Sequence, residues 1–414
     1  MELKRVVVTG FGAITPVGNN AKDYWESLVR GESGAAPITL FDATNFKTKF
    51  ACEVKNFDPL NYFDKKESKK MDRNTQFGVV AAREAVAHSR IMEDNVDKNR
   101  VGVIWGSGIG GLSTFEQEVL GWANTDVPRF NPFFIPKMIA DITGGHISIE
   151  YGFHGPNYTT VSACASSANA LIDGKMLIQL GKADVIVCGG SEAAVTASGV
   201  GGFNAMMALS TRNEDPKTAS RPFDKDRDGF VLGEGAGTII LEEYEHAIKR
   251  GATIYAELKG GGMSADAYHM TAPHPEGLGA YLVMKNCLED AGVTADEVDH
   301  INMHGTSTPL GDIAESNAIS RLLGEHAFDI QINSTKSITG HLLGAAGVIE
   351  AIAVLHTITH SIVPPTINHF TDDEKIDSRL NFTFNHAVKK EVNIGMSNTF
   401  GFGGHNACVL FTKI

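Results

Sequence analysis

Short β-branched and aliphatic runs, each closing on glycine, recur along the chain and set its predicted architecture. They include Val6-Val7-Val8-Thr9-Gly10, Val101-Gly102-Val103-Ile104-Trp105-Gly106 and Val185-Ile186-Val187-Cys188-Gly189-Gly190. Ile301-Asn302-Met303-His304-Gly305 and Val392-Asn393-Ile394-Gly395-Met396 repeat the pattern. Runs with so little polar alternation predict strands buried on both faces, in parallel or mixed sheet. Helix-like segments fall between them, at 76–90, 164–180, 275–291 and 313–324. This alternation predicts an α/β layered fold. The plan also echoes. One strand leads to Gly10-Phe11-Gly12, and Ile254-Tyr255-Ala256-Glu257-Leu258-Lys259 leads to Gly260-Gly261-Gly262. The echo predicts a duplication with its boundary near Arg250-Gly251, giving halves 1–251 and 252–414.

Composition narrows the setting. The chain has 414 residues, 43% hydrophobic and 21% charged, which suits two or three globular units with a core that needs no staple. Its five cysteines (Cys52, Cys164, Cys188, Cys287, Cys408) are scattered and form no CxxC, so a reducing compartment is expected. The first residues run directly into a strand pattern and lack the long apolar stretch of a signal peptide. The longest apolar helix candidate, near 342–359, is interrupted by Glu350, so no membrane insertion and a cytoplasmic location are expected. A net charge of −13 argues against nucleic acid as main partner. Within that acidic whole, Lys65, Lys66, Lys69, Lys70 and Arg73 fall at near-helical spacing, either a solvated helix face or a docking patch.

Two motifs imitate ligand sites. Gly106-Ser107-Gly108-Ile109-Gly110-Gly111 holds GxGxxG after a strand, but 120–136 reads as loop, where a dinucleotide fold needs a second strand ending in an acid. Close backbone packing is the better use of these glycines. Asp224-Lys225-Asp226-Arg227-Asp228-Gly229 opens like a calcium loop, yet position 235 is Gly and Glu234 comes one residue early. A structural turn, ion-paired to Arg221 or Arg227, is expected there.

Three segments carry candidate chemistry. Tyr158-Thr159-Thr160-Val161 runs into Ser162-Ala163-Cys164-Ala165-Ser166, which sets Cys164 at a strand-to-helix turn. There the helix dipole would favour a thiolate and backbone N–H groups could hold an oxyanion; an inert buried thiol is the competing reading. His304 follows a strand in Met303-His304-Gly305-Thr306-Ser307-Thr308-Pro309, and His341 lies in Ser334-Thr335-Lys336-Ser337-Ile338-Thr339-Gly340-His341. Both stand among small polar residues rather than on an apolar helix face. Near the C-terminus, Thr399-Phe400-Gly401-Phe402-Gly403-Gly404 sets aromatics in a glycine loop that can approach a ligand and move. Cys408, in the strand-like Ala407-Cys408-Val409-Leu410, reads as core.

Taken in order, these motifs, with Arg221-Pro222-Phe223-Asp224 and Gly233-Glu234-Gly235, resemble the β-ketoacyl-acyl-carrier-protein synthases of the thiolase superfamily, most closely the synthase II branch. The resemblance spans essentially the whole chain. It implies a thiolase-like five-layered αβαβα duplication and a homodimer. It implies decarboxylative condensation of an acyl group on Cys164 with malonyl-acyl carrier protein, as in fatty-acid elongation. By the same resemblance His304 and His341 stabilise the enolate, and Lys336 and Glu350 support them. The N–H groups of Cys164 and Phe400 form the oxyanion hole, with Phe400 as gate. Thr306 and Thr308 bind the phosphopantetheine arm. Ile109, Phe203 and, from a partner subunit, Phe134 line the acyl-tail pocket, and Phe402 also binds substrate. The lysine-rich segment docks the carrier protein, although Met206-Met207 replace an arginine that some relatives offer it. No metal or resident cofactor is implied, since phosphopantetheine arrives on the carrier.

Other readings are a ketosynthase of polyketide or aryl-polyene assembly, and a non-catalytic chain-length partner. Cys164, His304 and His341 together oppose the second. His341 stands where initiating synthases carry Asn.

Overall fold

The computed structural model describes residues 3–93, 96–125 and 127–414. Its main sheet has ten strands: β1 (Val6–Ile14), β2 (Val101–Gly106), β3 (Asn157–Thr160), β4 (Val185–Glu192), β5 (Gly235–Glu243), β6 (Ala256–Ala265), β7 (His300–Asn302), β8 (Gln331–Asn333), β9 (Ile394–Gly401) and β10 (His405–Thr412). Their order is 3-2-4-5-1-6-10-9-7-8. The first five and the last five therefore follow one plan read outward from the centre. Within each half, three strands pair in parallel and two antiparallel in the same places. The halves join where Val7 and Val8 of β1 pair with Glu257 and Ala256 of β6.

Helices cover both faces, because strands buried on each side need two apolar partners. Five matter here: α1 (Arg73–Ser89), α2 (Ser166–Gln179), α3 (Leu278–Ala291), α4 (Pro309–Leu323) and α5 (Ala346–His360). The helices α2 and α5 touch one another and strands of both half-sheets, forming the middle layer. Outside the first half-sheet lies α1; outside the second lie α3 and α4. The result is the five-layered αβαβα duplication.

The helix α5 shows how sequence decides its place. Residues 346–358 are all buried, as expected of a helix apolar on every side. The stretch Leu343–His360 is long and apolar enough to cross a bilayer by composition, yet 89% of it is buried inside the protein. Its one acid, Glu350, is paired internally with Lys336.

Two expectations need correcting. The segment 120–136 is not loop throughout, because the helix Leu112–Ala123 runs into it and Phe134–Met138 forms a further turn. Nor do the lysines share one helix. Lys65–Ser68 is a single turn capped by Asp64, and α1 restarts at Arg73 behind its own cap, Asp72. The decoy motifs resolve as expected. A Cβ on Gly110 or Gly111 would run into the backbone of residues 137 and 138. Asp224 pairs with Arg221, and its carbonyl accepts from Arg227.

Candidate active site

Cys164 sits on a tight bend between β3 and α2. Ala163 takes a left-handed φ of 50°, and Ala163–Ala165 forms a one-turn 3-10 helix that runs into α2. Small residues make the bend possible, and local bonds lock it. The Ser162 N–H donates to Ser166 Oγ (3.0 Å), Ser166 Oγ donates to the Ala163 carbonyl (2.7 Å), and Asn169 Nδ2 donates to Ser162 Oγ (2.6 Å). The strand β2 must end in Gly106 beside it, because a Cβ there would strike the Ser167 amide.

Both histidines come from the other half. His341 Nε2 lies 3.0 Å from Cys164 Sγ, a hydrogen bond across 177 residues of chain. The potential ligand atoms of Cys164, His304 and His341 all fall within 4.8 Å of one another, and all three residues are buried. The two imidazoles meet edge to face, centroids 5.2 Å apart at 85°. Backbone fixes each ring. The His341 N–H donates to the Val231 carbonyl (2.7 Å), and Phe230 stands edge-on to its ring at 5.4 Å. The N–H groups of His304 and Gly305 both donate to Glu315, each at 2.9 Å, and Asn398 Nδ2 donates to the same carboxylate at 3.1 Å. Lys336 and Glu350 form a buried ion pair behind the histidines.

Burial sets the protonation states. It holds both imidazoles well below their usual range, helped by the Lys336 charge, so both are neutral at pH 7. Burial pushes the Cys164 thiol up to about 12, against the opposing pull of Lys336 and a bond from the Phe402 N–H. The helix dipole does not make a thiolate here, contrary to the expectation from the bend alone. Desolvation outweighs it, and the proton's route off the sulfur is the bond to His341. Burial likewise lifts Glu350 to about 7, with Lys336 pulling it down.

Of the two phenylalanines near the glycine turn, Phe402, not Phe400, is the one whose N–H acts on the Cys164 thiol. The backbone N–H on the sulfur belongs to Phe402, in the glycine turn, where its ring is half-buried. Phe400 lies two residues back, paired with Asn406 in the β9–β10 ladder, with its ring 5.5 Å from that of His304.

A buried thiol hydrogen-bonded to one neutral imidazole and flanked by another is an acyl-transfer site, and comparison with known proteins agrees. The family described as β-ketoacyl synthase, N-terminal domain, matches residues 3–247, and its C-terminal domain matches residues 255–370. The chain belongs to the β-ketoacyl synthase family. It is 47% identical to the 3-oxoacyl-[acyl-carrier-protein] synthase 2 of Synechocystis over 413 residues, 100% of this chain and 99% of the relative. The Coxiella burnetii synthase 2 is 46% identical over 414 residues, covering both chains fully. Among solved structures, the ishigamide ketosynthase/chain length factor superposes with TM-score 0.93 at 35% identity, covering 100% of each chain. A β-ketoacyl synthase from Burkholderia phymatum gives 0.91 at 33%, covering 99% of this chain and 100% of that one.

The remaining predicted residues of this synthase spread outward from the thiol. Thr306 and Thr308 are partly exposed, their hydroxyls 3.0 Å apart, beside His304. Phe203 packs edge-on to Phe230 at 5.3 Å, one ring removed from His341. Ile109 opens onto a cavity of about 360 Å³ shared with Leu112, Phe115, Met138 and Ile139. Phe134 stacks on Phe115 and Phe130 close by, at the molecular surface. Lys65, Lys66 and Lys69 are exposed and Lys70 partly so. Arg73 leaves the patch: its guanidinium turns inward to Glu234, which is 0% exposed, at 2.6 Å. It is a structural residue of this fold.

Sequence reasoning missed Glu192 and Glu315. Glu192 ends an apolar strand and Glu315 lies within α4, three residues after Asp312, neither in a recognised motif; both prove buried, accepting from the backbone N–H groups of Gly108 and of His304 respectively.

Proposed function

We propose that this synthase extends acyl chains in fatty-acid synthesis by decarboxylative Claisen condensation with malonyl-acyl carrier protein. The observation carrying this reading is the 3.0 Å contact of Cys164 Sγ with His341 Nε2, with the His304 imidazole alongside. In the first half-reaction Cys164 passes its proton towards His341 and its sulfur attacks the acyl thioester. The C–S bond to the carrier breaks and the carrier thiol leaves with the proton. In the second, malonyl thioester loses CO2. The resulting enolate is held by the two neutral imidazoles, and its carbon attacks the acyl-Cys164 carbonyl, freeing the thiolate. Neutral imidazoles suit this step, since each can donate to enolate oxygen without a proton being released first. Lys336 adds fixed positive charge behind them, and Glu350 holds it in place. The N–H groups of Cys164 and Phe402 meet the tetrahedral oxyanion in each half-reaction.

The chemistry needs no resident metal or redox group, as the pantetheine thiol arrives on the carrier, with Thr306 and Thr308 placed to receive its arm. Lys65, Lys66 and Lys69, exposed on an acidic protein, are the docking cations, with Lys70 at their edge. A homodimer is supported by exposed apolar side chains around the edge strand β3: Phe115, Trp122, Phe133, Ile149, Tyr158 and Val161. In it, Phe134 of one protomer closes the acyl cavity of the other. The cytoplasm is the proposed setting. Likeness to a type II PKS ketosynthase solved with its acyl-carrier protein keeps polyketide extension as a second reading.

Intact-protein mass spectrometry after incubation with acyl carriers of graded length tests both. The expected result is one acyl adduct on Cys164, lost on adding malonyl carrier as β-ketoacyl product forms, and absent in Cys164→Ala. An adduct that persists in that variant, or condensation without one, overturns the reading. Turnover of β-ketoacyl substrates only, with saturated chains refused, selects the second.

A further inference from the structure

The repeat sets a buried first-half carboxylate, Glu192, against the second-half bend that corresponds to the reacting Cys164 bend of the first half. Aligning the first pairs of the two edge ladders, β2–β3 and β7–β8, gives the equivalences. Val103 faces Asn157 and Val187 in the first half, as His300 faces Gln331 and Gly395 in the second. Counting on from these, Ser107 corresponds to His304 and Glu192 to Phe400. Each half also enters its middle-layer helix through a one-turn 3-10 bend, Ala163–Ala165 before α2 and Leu343–Ala345 before α5. Each bend opens on a left-handed residue, Ala163 at φ 50° and Leu343 at φ 47°. Cys164 therefore corresponds to Gly344.

At this counterpart site the Glu192 carboxyl, raised by burial to about 7, is held by donors from two loops. One carboxylate oxygen accepts from the N–H groups of Gly108 (2.8 Å) and Gly344 (3.0 Å). The other accepts from the Ile109 N–H (3.2 Å) and Ser107 Oγ (3.3 Å). The side chain is 0% exposed and has no ion-pair partner among the described residues. An isolated buried carboxylate is costly unless donors compensate it. Here they come from two loops: one carries Ile109, at the acyl cavity, and the other joins His341 to α5. A Cβ on Gly108 or Gly344 would collide with the carboxylate, so the loops close tightly around it.

We propose that Glu192 is a positioning residue, its carboxylate fastening the Ile109 wall of the acyl cavity to the Gly344 bend beside His341 and thereby setting which chains reach Cys164. The inference rests on the reading of Cys164 as the acylated nucleophile. Gln at 192 keeps the shape but has one acceptor oxygen and one NH2. With its oxygen on Gly108 and Gly344, the NH2 faces the Ile109 N–H, donor against donor. Ser107 can turn its hydroxyl to accept, whereas Ile109 cannot adapt.

The test is the alkylation rate of Cys164 in the full-length protein, by intact mass, with iodoacetamide and with N-octyl iodoacetamide. Each forms a C–S bond and releases iodide, so neither needs condensing activity. In Glu192→Gln the octyl reagent should slow about tenfold or more and iodoacetamide less than about threefold. Equal slowing, or no slowing, overturns the proposal. If Glu192→Gln does not fold, Ser107→Ala serves instead: it removes the hydroxyl that donates to Glu192 (3.3 Å) and accepts from the Gly110 N–H (3.1 Å). The same skew, smaller, is expected, and an even effect overturns it. Octyl selectivity in a protein that forms no acyl adduct would instead count against the condensing reading alone.

Discussion

Replacing Lys336 with Met should separate the stability role of the buried ion pair from its role in tuning the site. Both side chains are almost fully buried, 1% and 3% exposed. Met has similar length and no charge, so the main loss is the cation facing Glu350. Breaking one side of a buried pair costs about 3–5 kcal/mol. The cost should depend on pH, with a definite sign. Burial already raises the Glu350 carboxyl to about 7 in the presence of Lys336, and without the cation it rises further. A carboxyl raised in the folded state contributes stability that is fully present below its unfolded value, near 4.5, and is lost as pH rises through the folded value. The wild type loses it through about 7; the variant goes on losing it above 7. The gap in urea midpoint should therefore be modest at pH 6 and widen by pH 8.5. The same cation lowers the Cys164 thiol, which stands at about 12. At pH 8 such a thiol is ionised in only about one molecule in 10⁴. Losing Lys336 should reduce that fraction further, and Cys164 should alkylate with iodoacetamide more slowly at every pH. A stability gap that is largest at acid pH, or an unchanged alkylation rate, would refute the electrostatic account.

Three further outcomes follow from the geometry. In His341→Ala, which removes the acceptor 3.0 Å from the sulfur, Cys164 alkylation should fall by about 10²-fold, the scale of one general base, while His304→Ala should spare alkylation and depress CO2 release from malonyl carrier. Gly401→Ala would put a Cβ 2.6 Å from the Ser162 carbonyl and 3.1 Å from the Cys164 amide; kcat should drop about 10²-fold with a smaller change in Tm. Arg73→Ala strands the buried Glu234 and should cost about 3 kcal/mol in urea unfolding with carrier affinity unchanged, whereas Lys66→Glu should weaken carrier binding at low salt and leave unfolding unchanged.

The fold was legible where burial is symmetrical about an element. Strands buried on both faces have to be continuously apolar, and the glycines that end them admit helices, as Gly106 admits α2. The strand β5 escaped because Glu242 and Glu243 end it, and Glu242 is buried against Arg250, a partner no local pattern announces. The helix Leu112–Ala123 escaped because only Thr114 of its twelve residues is buried, so no apolar stripe faces this protomer's core. At the site, the thiol and both histidines were legible as residues in unusual company. Their protonation was not, because desolvation depends on how completely other segments close over them. Phe400 and Phe402 share one side of β9 and its turn, two residues apart, and only the turn's geometry tells which N–H meets the sulfur.

Duplication built this site, but its chemistry lies in the difference between the copies. Thr160 of β3 and Ser334, just past β8, are equivalent by register, as are the bends at Cys164 and Gly344. The path to the bend is six residues longer in the second half. That extra length contains the turn Lys336–Thr339 and ends at His341, so a single insertion supplies both the fixed cation and the thiol's proton acceptor. The first copy, with the short path, has room for a sulfur and a substrate. The second, with the long path, projects its insertion across the interface between halves into the first copy's site and leaves its own bend closed over Glu192. Two perfect repeats would present two equal sites. One site per chain is therefore a consequence of where those six residues fall, and Lys336 and His341 cannot be moved independently of each other.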